Sequence, residues 1–458
     1  MSTKAAVILA AGKGVRMRSG LSKVLHRICG KELVRHVVDA AKGAGYDRFV
    51  VIVSPTNHAA VRDLLTDTVD YAVQSDTLGT GHAVLQAKDL LRGVGTVAVL
   101  NGDVPLVRPE TLRSLLEHHE ARDACATLLT ASIDMPGLGR VVRDTDGTIA
   151  EIVEERDADE STKAIGEVNV GSYCFNGPWL WDALEKVKPS DGGEYYLPAV
   201  VATAVQEGRP PESIEASDPS EALGINDRVQ LAEAETILRE RIRLHWMKDG
   251  VTMPDPSTVY IDADVSLGQD SSILPNTHIR GATSIAERCE IGPNTIVDDA
   301  RIGSECRVWS SVVEGSELEA SVSVGPFTHV RPGSHIAEGV VLGNFAEVNR
   351  STVGRNSKSA HFSYLGDAEV GDDVNIGAGT VTVNYDGVNK QTTRIGDGAF
   401  IGCDTMLVAP VEVGEGAQTA AGAVVTKDVP PDALAVGVPA RIVDKKKKCS
   451  SDGGEDSS

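Results

Sequence analysis

Aliphatic residues recur at every sixth position through much of the second half of the chain. A six-residue period suits neither an α-helix, with about 3.6 residues per turn, nor an alternating strand, with a period of about 2. It is typical of a parallel β-helix, in which each flat face buries one aliphatic side chain and a small residue follows at the corner. The pattern therefore predicts a β-helix over residues 251–443. Its ladder consists of Ile261, Leu267, Ile273, Ile279, Ile285, Ile291, Leu318, Val324, Val330, Ile336, Leu342, Val348, Ile395, Ile401, Leu407 and Val413.

The first half of the chain alternates short apolar runs with helical patterns. Ala5–Ala11, Phe49–Val53 and Thr96–Leu100 are predicted strands, and Lys31–Ala44 and His82–Leu91 are predicted helices. This alternation predicts a Rossmann-like α/β domain, with a mostly parallel sheet and helices on both sides. In such sheets, ligands bind beyond the carboxyl ends of the strands.

A Glu- and Arg-rich amphipathic pattern over Asp227–Asp249 predicts a connecting helix between the two halves. The tail KKKKCSSDGGEDSS has no apolar periodicity and is predicted to be disordered. The predicted organisation is thus a first domain at 1–226, a linker helix at 227–250, the β-helix at 251–443 and a disordered tail at 444–458.

Composition narrows the range of partners. The 458 residues carry a formal net charge of −22, which argues against nucleic acid and anionic membranes as partners.

The 7 cysteines are scattered without a C-x-x-C pair, so neither a disulfide framework nor a zinc site is indicated. With no signal peptide pattern and no apolar run of transmembrane length, we expect a cytoplasmic protein.

Candidate phosphate chemistry follows the first predicted strand, which runs into LAAGKGVRM (Leu9 to Met17). A glycine-rich turn after a strand exposes backbone N–H groups to a phosphate, and the nearby Arg16 and Lys23 can neutralise it. The segment is neither a dinucleotide fingerprint nor a Walker A motif. Taken alone, it could equally be a plain strand-to-helix turn.

A second motif, NGDVPL, follows the strand Thr96–Leu100 and puts Asp103 at the carboxyl edge of the sheet. An acid there could be a helix N-cap, but this is also where a Mg²⁺ ligand for a nucleoside triphosphate belongs. Gln74 and the small-residue loop LGTGHA (Leu78 to Ala83) are expected at the same edge, where they permit close approach of a flat base.

Together with GLGR, Glu154, EVN and GIND, these motifs resemble the bifunctional N-acetylglucosamine-1-phosphate uridylyltransferase/glucosamine-1-phosphate acetyltransferase family, over nearly the whole chain. The resemblance implies Mg²⁺ ligands at Asp103 and Asn226 and catalytic roles for Lys23 and Arg16. The UTP- and sugar-binding residues that it implies are Leu9, Ala10, Ala11, Gly12, Lys23, Gln74, Gly79, Thr80, Asp103, Gly139, Glu154, Asn169 and Asn226. The implied reaction is attack of a sugar-1-phosphate oxygen on the α-phosphorus of UTP, which expels pyrophosphate and needs positioning and charge neutralisation rather than a covalent intermediate.

Two polar stretches interrupt the ladder, KSAHFSYLGD (Lys358 to Asp367) and VNIGAGTVTVNYDGVNK (Val374 to Lys390). A harmless surface insertion is the alternative, but both stretches resemble the acetyltransferase half of the same family. His361 then corresponds to the general base that takes a proton from the amine of glucosamine-1-phosphate. A backbone N–H near Ala378 would stabilise the oxyanion formed on the acetyl-CoA thioester.

The resemblance also implies two sets of binding residues in this half. The sugar-phosphate set is Arg331, Asn349, Tyr364, Asn375 and Lys390. The acetyl-CoA set is Ala378, Asn384, Tyr385, Cys403, Ala421 and Arg441. Family members fold as a left-handed parallel β-helix of hexapeptide repeats and assemble as homotrimers, so both are expected here. The expected product is UDP-N-acetylglucosamine for envelope polymers such as peptidoglycan and lipopolysaccharide.

Departures from the family pattern leave a second reading open. Asn349 stands where the family has a phosphate-binding Lys, and the ending ALAVGVPARIV (Ala433 to Val443) lacks the family's coenzyme-binding Arg, although Arg441 or the lysines at 445–448 could take its place. The alternative is a sugar-1-phosphate nucleotidylyltransferase whose catalytically silent solenoid serves assembly. A non-catalytic scaffold that only binds nucleotide sugars is a third reading, which the retained Lys23, Asp103 and His361 disfavour.

Overall fold

The computed structural model describes residues 3–190 and 193–443. The chain divides into two compact units, Met1–Leu238 and Arg239–Ser458. The division into segments 1–226, 227–250, 251–443 and 444–458 stays a prediction, and its last segment, the predicted disordered tail, lies outside the described residues.

The first unit is an α/β domain built on a mixed sheet. Its strands are β1 (Lys4–Leu9), β2 (Arg27–Ile28), β3 (Lys31–Glu32), β4 (Arg48–Val53), β5 (Asp70–Val73), β6 (Thr96–Asn101), β7 (Ala126–Ser132), β8 (Arg140–Arg143), β9 (Ile149–Val153), β10 (Glu167–Asn176) and β11 (Glu212–Glu215). The main sheet has the order β11-β7-β10-β6-β1-β4-β5, and β8 and β9 extend it beside β10. Strand β1 runs parallel to β4 and β6, whereas β10 runs antiparallel to β6 and β7.

Helices cover both faces of this sheet, as predicted. They are α1 (Leu33–Ala44), α2 (His58–Leu65), α3 (Thr80–Leu85), α4 (Pro109–Arg122), α5 (Glu160–Lys163), α6 (Gly177–Lys186) and α7 (Ala199–Gln206), followed by α8 (Arg228–Lys248). Alternate residues of β1 enter different cores: Ala5 and Val7 pack with α3, α6 and α7, while Ala6 and Ile8 pack with α1 and α4. Burial on both faces explains why β1 reads as a continuous apolar run.

Several element boundaries differ from the sequence prediction. Strand β1 ends at Leu9 rather than Ala11, because the chain leaves the sheet there to form the glycine-rich turn. Helix α1 begins at Leu33, since Lys31–Glu32 pairs with Arg27–Ile28 in a short hairpin. Helix α3 covers Thr80–Leu85 only, and turns replace the rest of the helix predicted to Leu91.

Helix α8 has nearly the predicted extent. It begins after Asp227, whose carboxylate accepts hydrogen bonds from the N–H groups of Val229 and Gln230 and so caps the helix. In the second unit, Ile242 and Trp246 of this helix pack against the solenoid core.

The second unit is a parallel β-helix of three sheets, which confirms the architecture predicted from the six-residue period. The first sheet contains Tyr260–Ile261, His278–Arg280, Ile296–Asp298, Val312–Glu314, His329–Val330, Ala346–Asn349, Ser363–Gly366, Val381–Val383, Met406–Val408 and Val424–Val425. The second contains Ser266–Leu267, Ser284–Ile285, Arg301–Ile302, Glu317–Leu318, His335–Ile336, Thr352–Val353, Ala368–Val370, Thr393–Ile395 and Val411–Val413. The third contains Ser272–Ile273, Glu290–Ile291, Arg307–Val308, Ser323–Val324, Val341–Leu342, Lys358–Ser359, Asn375–Ile376, Phe400–Ile401, Gln418–Thr419, Leu434–Val436 and Arg441–Val443.

The aliphatic ladder forms the interior of this β-helix. Each of the ladder residues named from the sequence is buried and belongs to one continuous apolar core. The chain departs from the coil between Val381–Val383 and Thr393–Ile395, where residues 384–392 form a protruding loop with an exposed Tyr385. This is the NYDGVNK interruption seen in the sequence.

Candidate active sites

The first candidate site lies at the carboxyl edge of the parallel strands β1 and β6. The turn after β1 contains Gly14, which has φ of +59°. A Cβ atom at this position would lie 2.7 Å from Lys23 Cβ, so glycine lets the Lys23 side chain pass close to the turn. Arg16 and Lys23 are thereby brought to the end of the sheet.

Asp103 and Asn226, which are distant from Lys23 in the chain, meet at the Lys23 ammonium group. Lys23 forms an ion pair with Asp103, and its Nζ atom lies 3.3 Å from Asn226 Oδ1. Arg16 donates to the same amide oxygen over 2.9 Å. The segment that carries Asn226 is fixed to the NGDVPL turn by a 2.9 Å hydrogen bond from the N–H of Ile225 to the carbonyl of Asp103. Carboxylate and amide oxygens thus converge on a single cation.

A cavity of about 560 Å³ opens beside this cluster. The predicted catalytic residue Arg16 lines it, together with residues of the predicted UTP- and sugar-binding set: Leu9, Ala11, Gly12, Lys23, Gln74, Gly79, Thr80 and Asp103. Gln74 is buried and donates to the Gly79 carbonyl over 3.1 Å, which holds the LGTGHA turn in place. Gly79 has φ of +103°, and a Cβ there would meet the Tyr195 backbone at 2.5 Å, so the turn requires glycine.

A smaller cavity of about 180 Å³ shares Leu9, Thr80, Asn101 and Asp103 with the first. The predicted sugar-binding residues that line it are Gly139, Glu154, Asn169 and Asn226. Burial raises the pKa of the Glu154 carboxyl, with the positive charge of Arg156 acting in the opposite direction. Asn169 donates to the Tyr173 hydroxyl over 2.6 Å, so its amide is held in a fixed orientation.

One predicted residue of this site lies outside the cavities. The N–H of Ala10 donates to Ile52 and its carbonyl accepts from Asn57, so its polar groups are used to hold the turn and its side chain is buried. The sequence prediction also omitted residues that line the two cavities: Lys13, Val24, Thr77, Ala83, Asn101, Val104, Gly137, Leu138, Val170, Gly171, Tyr173, Glu194, Tyr196, Leu197, Pro198, Ala222 and Gly224. Lys13 lies inside the predicted phosphate turn, Asn101 opens the NGDVPL motif and Leu138 lies in GLGR, so a sequence signal existed for these three.

In the second unit, strand register places four predicted residues on one edge of the β-helix. Lys358, Asn375, Phe400 and Gln418 are in register on successive coils of the third sheet. The turn that follows each strand carries one of the predicted residues, always at the same offset: His361, Ala378, Cys403 and Ala421. The predicted base, oxyanion donor and two acetyl-CoA-binding residues therefore lie along one corner between the third and first sheets.

Around Ala378, the turns of this corner are joined by backbone hydrogen bonds. The N–H of Gly379 donates to the Phe362 carbonyl over 2.7 Å, and the N–H of Asp404 donates to the Ala378 carbonyl over 2.6 Å. Among the described residues, the N–H of Ala378 has no acceptor. The His361 side chain is exposed and makes no hydrogen bond within that same part of the chain. A base and a free backbone donor thus lie on neighbouring coils.

The predicted sugar-phosphate residues follow the first sheet. Arg331 directly follows the strand His329–Val330, which pairs with Glu347–Val348 on the next coil just before Asn349. Arg331 donates to Glu347 over 2.9 Å. Tyr364 lies on the next strand of that sheet, whereas Asn375 lies on the third. The NYDGVNK loop, which bears Tyr385, is closed by a bridge between Tyr385 and Lys390.

A charged network surrounds Asn349. Arg350 binds Asp367 through two hydrogen bonds of 2.8 and 2.9 Å, and it also donates to the Asn349 side chain over 3.1 Å. Asn384 donates to the same carboxylate. The hydrogen bonds from Arg350 are the main reason that the pKa of Asp367 is lowered. Asn349 itself is buried and carries no charge. The adjacent cation, Arg350, is already paired with Asp367.

Arg441 lies in the last described strand, paired antiparallel with Leu434–Val436 and opposite Val436, beyond the coil that carries Ala421. The lysines at 445–448 lie outside the described residues. Within the described part of the chain, there is no group of three or more His, Cys, Asp or Glu side chains arranged to hold a metal ion. In the same part, no helix is both long enough and apolar enough to span a membrane.

Comparison with known proteins gives matches to both units. Residues 6–172 match the MobA-like NTP transferase domain, and residues 392–427 match the bacterial transferase hexapeptide, a model of six repeats. The chain is 48% identical over 439 residues to the "Bifunctional protein GlmU" of Halalkalibacterium halodurans, covering 95% of this chain and 96% of the relative. It is 48% identical over 441 residues to the protein of the same name from Shouchella clausii, covering 95% and 96%. A third relative of that name, from Geobacillus sp. (strain WCH70), is 48% identical over 449 residues, covering 97% of both chains.

Proposed function

The chain belongs to the GlmU family of bifunctional proteins, and from that premise we propose how its residues divide the work between two active sites. It is a bifunctional enzyme that joins a nucleotidyltransferase to a hexapeptide acetyltransferase. The second unit transfers the acetyl group of acetyl-CoA to glucosamine-1-phosphate. The first unit then transfers a uridylyl group from UTP to N-acetylglucosamine-1-phosphate.

In the acetyl step, His361 takes a proton from the amine of glucosamine-1-phosphate as the nitrogen attacks the thioester carbon. Free coenzyme A leaves and N-acetylglucosamine-1-phosphate forms. The free N–H of Ala378 on the adjacent coil supports its role as the oxyanion donor, since a preorganised donor aimed at developing charge lowers the barrier. Cys403 and Ala421, in register on the next two coils, extend this corner in the direction assigned to the coenzyme.

In the uridylyl step, an oxygen of the sugar phosphate attacks the α-phosphorus of UTP and pyrophosphate leaves. Lys23 and Arg16 would neutralise the phosphates, and Gln74 with the Gly79 turn would hold the uracil. Asp103 lines both cavities, and this is the observation that supports the proposal most directly, because the acceptor phosphate and the α-phosphate must meet at that point. The smaller cavity, lined by Glu154, suits the hydroxyl groups of a sugar.

The donor set around Lys23 also fits a magnesium ion. Asp103 and Asn226 direct oxygen atoms toward one cation, and Mg²⁺ in proteins takes one or two side-chain oxygens and completes its shell with water and substrate phosphates. Asp103 and Asn226 would hold the ion, which when bound polarises the phosphates and neutralises developing charge. A binding site with few protein ligands agrees with the lack of a larger ligand cluster among the described residues.

Self-association as a homotrimer belongs to the same proposal. Phe327 and Phe345 on adjacent coils stack with ring centroids 5.3 Å apart, yet each ring is about three-fifths exposed, and Phe362 follows at the same corner. Exposed aromatic rows of this kind are typical of surfaces that are covered by a partner. Mass measurement by light scattering would test it, and a monomer at micromolar concentration would contradict it.

Cytoplasmic localisation is proposed as well, because UTP and acetyl-CoA are intracellular metabolites.

One observation favours a second candidate, a uridylyltransferase with a silent solenoid. The position expected to hold a phosphate-binding lysine is the neutral Asn349, and the adjacent Arg350 is engaged by Asp367. A coupled assay separates the two candidates. Purified protein is given glucosamine-1-phosphate and acetyl-CoA, and free thiol is followed; UTP is then added with and without Mg²⁺, and pyrophosphate is followed. Thiol release that depends on glucosamine-1-phosphate supports the two-step enzyme. The silent solenoid is supported if no thiol is released and pyrophosphate appears only when N-acetylglucosamine-1-phosphate is supplied in place of glucosamine-1-phosphate.

A further inference from the structure

Arg156 lies between the two cavities of the first unit without lining either of them. It belongs to the 154–159 loop, which follows β9 and begins with Glu154, a residue of the smaller cavity. Its guanidinium group reaches the 193–197 segment, where Glu194 and Tyr196 line the larger cavity. One side chain therefore connects a loop of the proposed sugar site to a segment of the proposed nucleotide site.

Arg156 joins a cluster with Glu194 and Tyr196, and Asp157 of its own loop lies 3.8 Å from its Nε atom. Its Nη2 atom lies 3.3 Å from Glu194 Oε2, and its guanidinium carbon lies 4.6 Å from the centroid of the Tyr196 ring. The Tyr196 hydroxyl donates to the same Glu194 carboxylate. An isolated exposed ion pair contributes little, but here a charge pair, a cation–π contact and a hydrogen bond share three side chains.

Both ends of this cluster are fixed to ligand-lining turns. In the 154–159 loop, Glu155 accepts a hydrogen bond from the N–H of Gly137, in the turn that lines the smaller cavity. In the 193–197 segment, the N–H of Tyr195 donates to Leu78 over 2.7 Å, and its carbonyl accepts from Gly81 over 2.8 Å. The segment is thus paired with the turn proposed to hold uracil. A displacement of the residues at one cavity can therefore be transmitted to the other cavity through the contacts of Arg156.

We propose that Arg156 is a positioning residue that couples the two substrate sites, so that sugar phosphate bound beside Glu154 draws the 193–197 segment over the nucleotide. This inference rests on the proposed function of the first unit. Coupling of this kind is reciprocal, so each ligand tightens the binding of the other by the same factor. Guanidinium is suited to this role because it is planar and can pair with a carboxylate while stacking on a ring, which an ammonium group does less well.

The test measures the dissociation constant of N-acetylglucosamine-1-phosphate by calorimetry, with and without α,β-methylene-UTP and Mg²⁺. We expect the analogue to tighten sugar-phosphate binding at least about fivefold in the wild type and to change it less than about twofold in Arg156→Gln. Arg156→Lys should retain part of the coupling. Arg143→Gln is the matched control, because Arg143 pairs with Glu167 at 2.6 Å but lines neither cavity.

A double-mutant cycle sharpens the result. If Arg156 acts through Glu194, then Arg156→Gln and Glu194→Gln should reduce coupling to the same extent, and the double variant should reduce it no further. Binding of α,β-methylene-UTP alone, measured for each variant by the same calorimetry, reports that its first unit is folded. If the two ligands bind the wild type independently, or if coupling survives in Arg156→Gln, the inference is wrong and the proposed function still stands. Failure of the wild type to bind the UTP analogue would instead overturn the proposed function.

Discussion

Lys23 Nζ lies 3.3 Å from Asn226 Oδ1, although the two residues are 203 positions apart in the chain. The same ammonium group forms an ion pair with Asp103, so it lies between the two oxygen ligands that we assign to magnesium. A lysine in this position balances the carboxylate while no divalent ion is bound. Binding of the proposed ion would release the ammonium group to pair with the phosphates of the nucleotide.

The first prediction concerns Asp103. Asp103→Asn keeps the size of the side chain but removes the charge that attracts the divalent ion, so uridylyl transfer should fall by about 100-fold or more. Pyrophosphate release measured over a Mg²⁺ titration checks this. Asp89→Asn is the control, since Asp89 is exposed and pairs with Arg92. Equal loss of acetyl transfer in Asp103→Asn would show that the two sites are not independent.

The second prediction concerns His361. His361→Ala removes the only base assigned to the acetyl step, so acetyl transfer should fall by about 100- to 10,000-fold while uridylyl transfer is retained. The assay follows thiol release and pyrophosphate release in parallel on the same preparation. His335→Gln serves as the matched variant, because His335 is partly exposed on the second sheet and contacts Glu317 and Glu319. Normal acetyl transfer by His361→Ala would assign the proton transfer to another group.

The third prediction concerns phosphate binding on the solenoid. Arg350 is held by two hydrogen bonds to Asp367, whereas Arg331 makes one hydrogen bond to Glu347, so Arg331 and Lys390 are the less constrained cations and the ones predicted to bind the sugar phosphate. Arg331→Gln should therefore raise the KM for glucosamine-1-phosphate about tenfold with little change in kcat, as expected when ground-state and transition-state binding are lost together. Arg355→Gln, which removes a comparable exposed arginine paired with Asp372, should leave KM unchanged. A fall in kcat alone would place Arg331 in the chemical step.

Much of the fold could be predicted because the repeating pattern is local. The aliphatic residue at every sixth position must face the interior once the coil forms. Residues such as Val330 and Ile401 therefore identify the β-helix without long-range information. The sequence predicts helix α3 too long because Ala87 and Leu91 are apolar at helical spacing. Both residues are buried but lie in turns, and periodicity alone does not distinguish a turn from a helix.

The site was less accessible to sequence reasoning, for physical reasons. Asn101 lines both cavities, and its amide group packs against Gly171, where a Cβ atom would lie 2.2 Å from Asn101 Nδ2. The NGDVPL motif places Asn101 at the edge of the sheet, but nothing in the local pattern links it to Gly171. Similarly, Ala10 belongs to the right turn, but only the hydrogen bonds to Ile52 and Asn57 show that it faces the core. Motifs indicate which turn forms a site, and tertiary contacts decide which residues of the turn face it.

The fourth prediction concerns the pH dependence of sugar binding. Burial raises the pKa of Glu154, so on acidification its carboxylate is protonated at a higher pH than that of an ordinary glutamate. The neutral acid is a poorer acceptor for sugar hydroxyls. The KM for N-acetylglucosamine-1-phosphate should therefore rise as the pH falls, and this rise should be smaller in Glu154→Gln, in which only protonation of the substrate phosphate and of other groups remains. Steady-state kinetics at saturating UTP between about pH 5 and 8 check it, and an identical pH profile in the variant would contradict it.

The fifth prediction concerns stability and His119, which is buried on α4 with its Nδ1 atom 2.9 Å from Thr127 Oγ1. Burial lowers its pKa from 6.5 to about 4, so between these values the unfolded chain binds a proton that the folded chain does not. The free energy of unfolding therefore falls as the pH is lowered through this window, by up to about 3 kcal/mol from this group.

His119→Asn keeps a hydrogen-bonding group toward Thr127 but removes the titration, so its stability should depend less on pH than that of the wild type. Denaturant unfolding compared at about pH 7 and pH 5 measures the difference between the two proteins, in which the contributions of other titrating groups cancel. His58→Asn, at a partly exposed histidine on α2, should retain the wild-type dependence. If His119→Asn lost stability equally at both pH values, the variant would have removed packing alone, and protonation of His119 would not contribute to acid sensitivity.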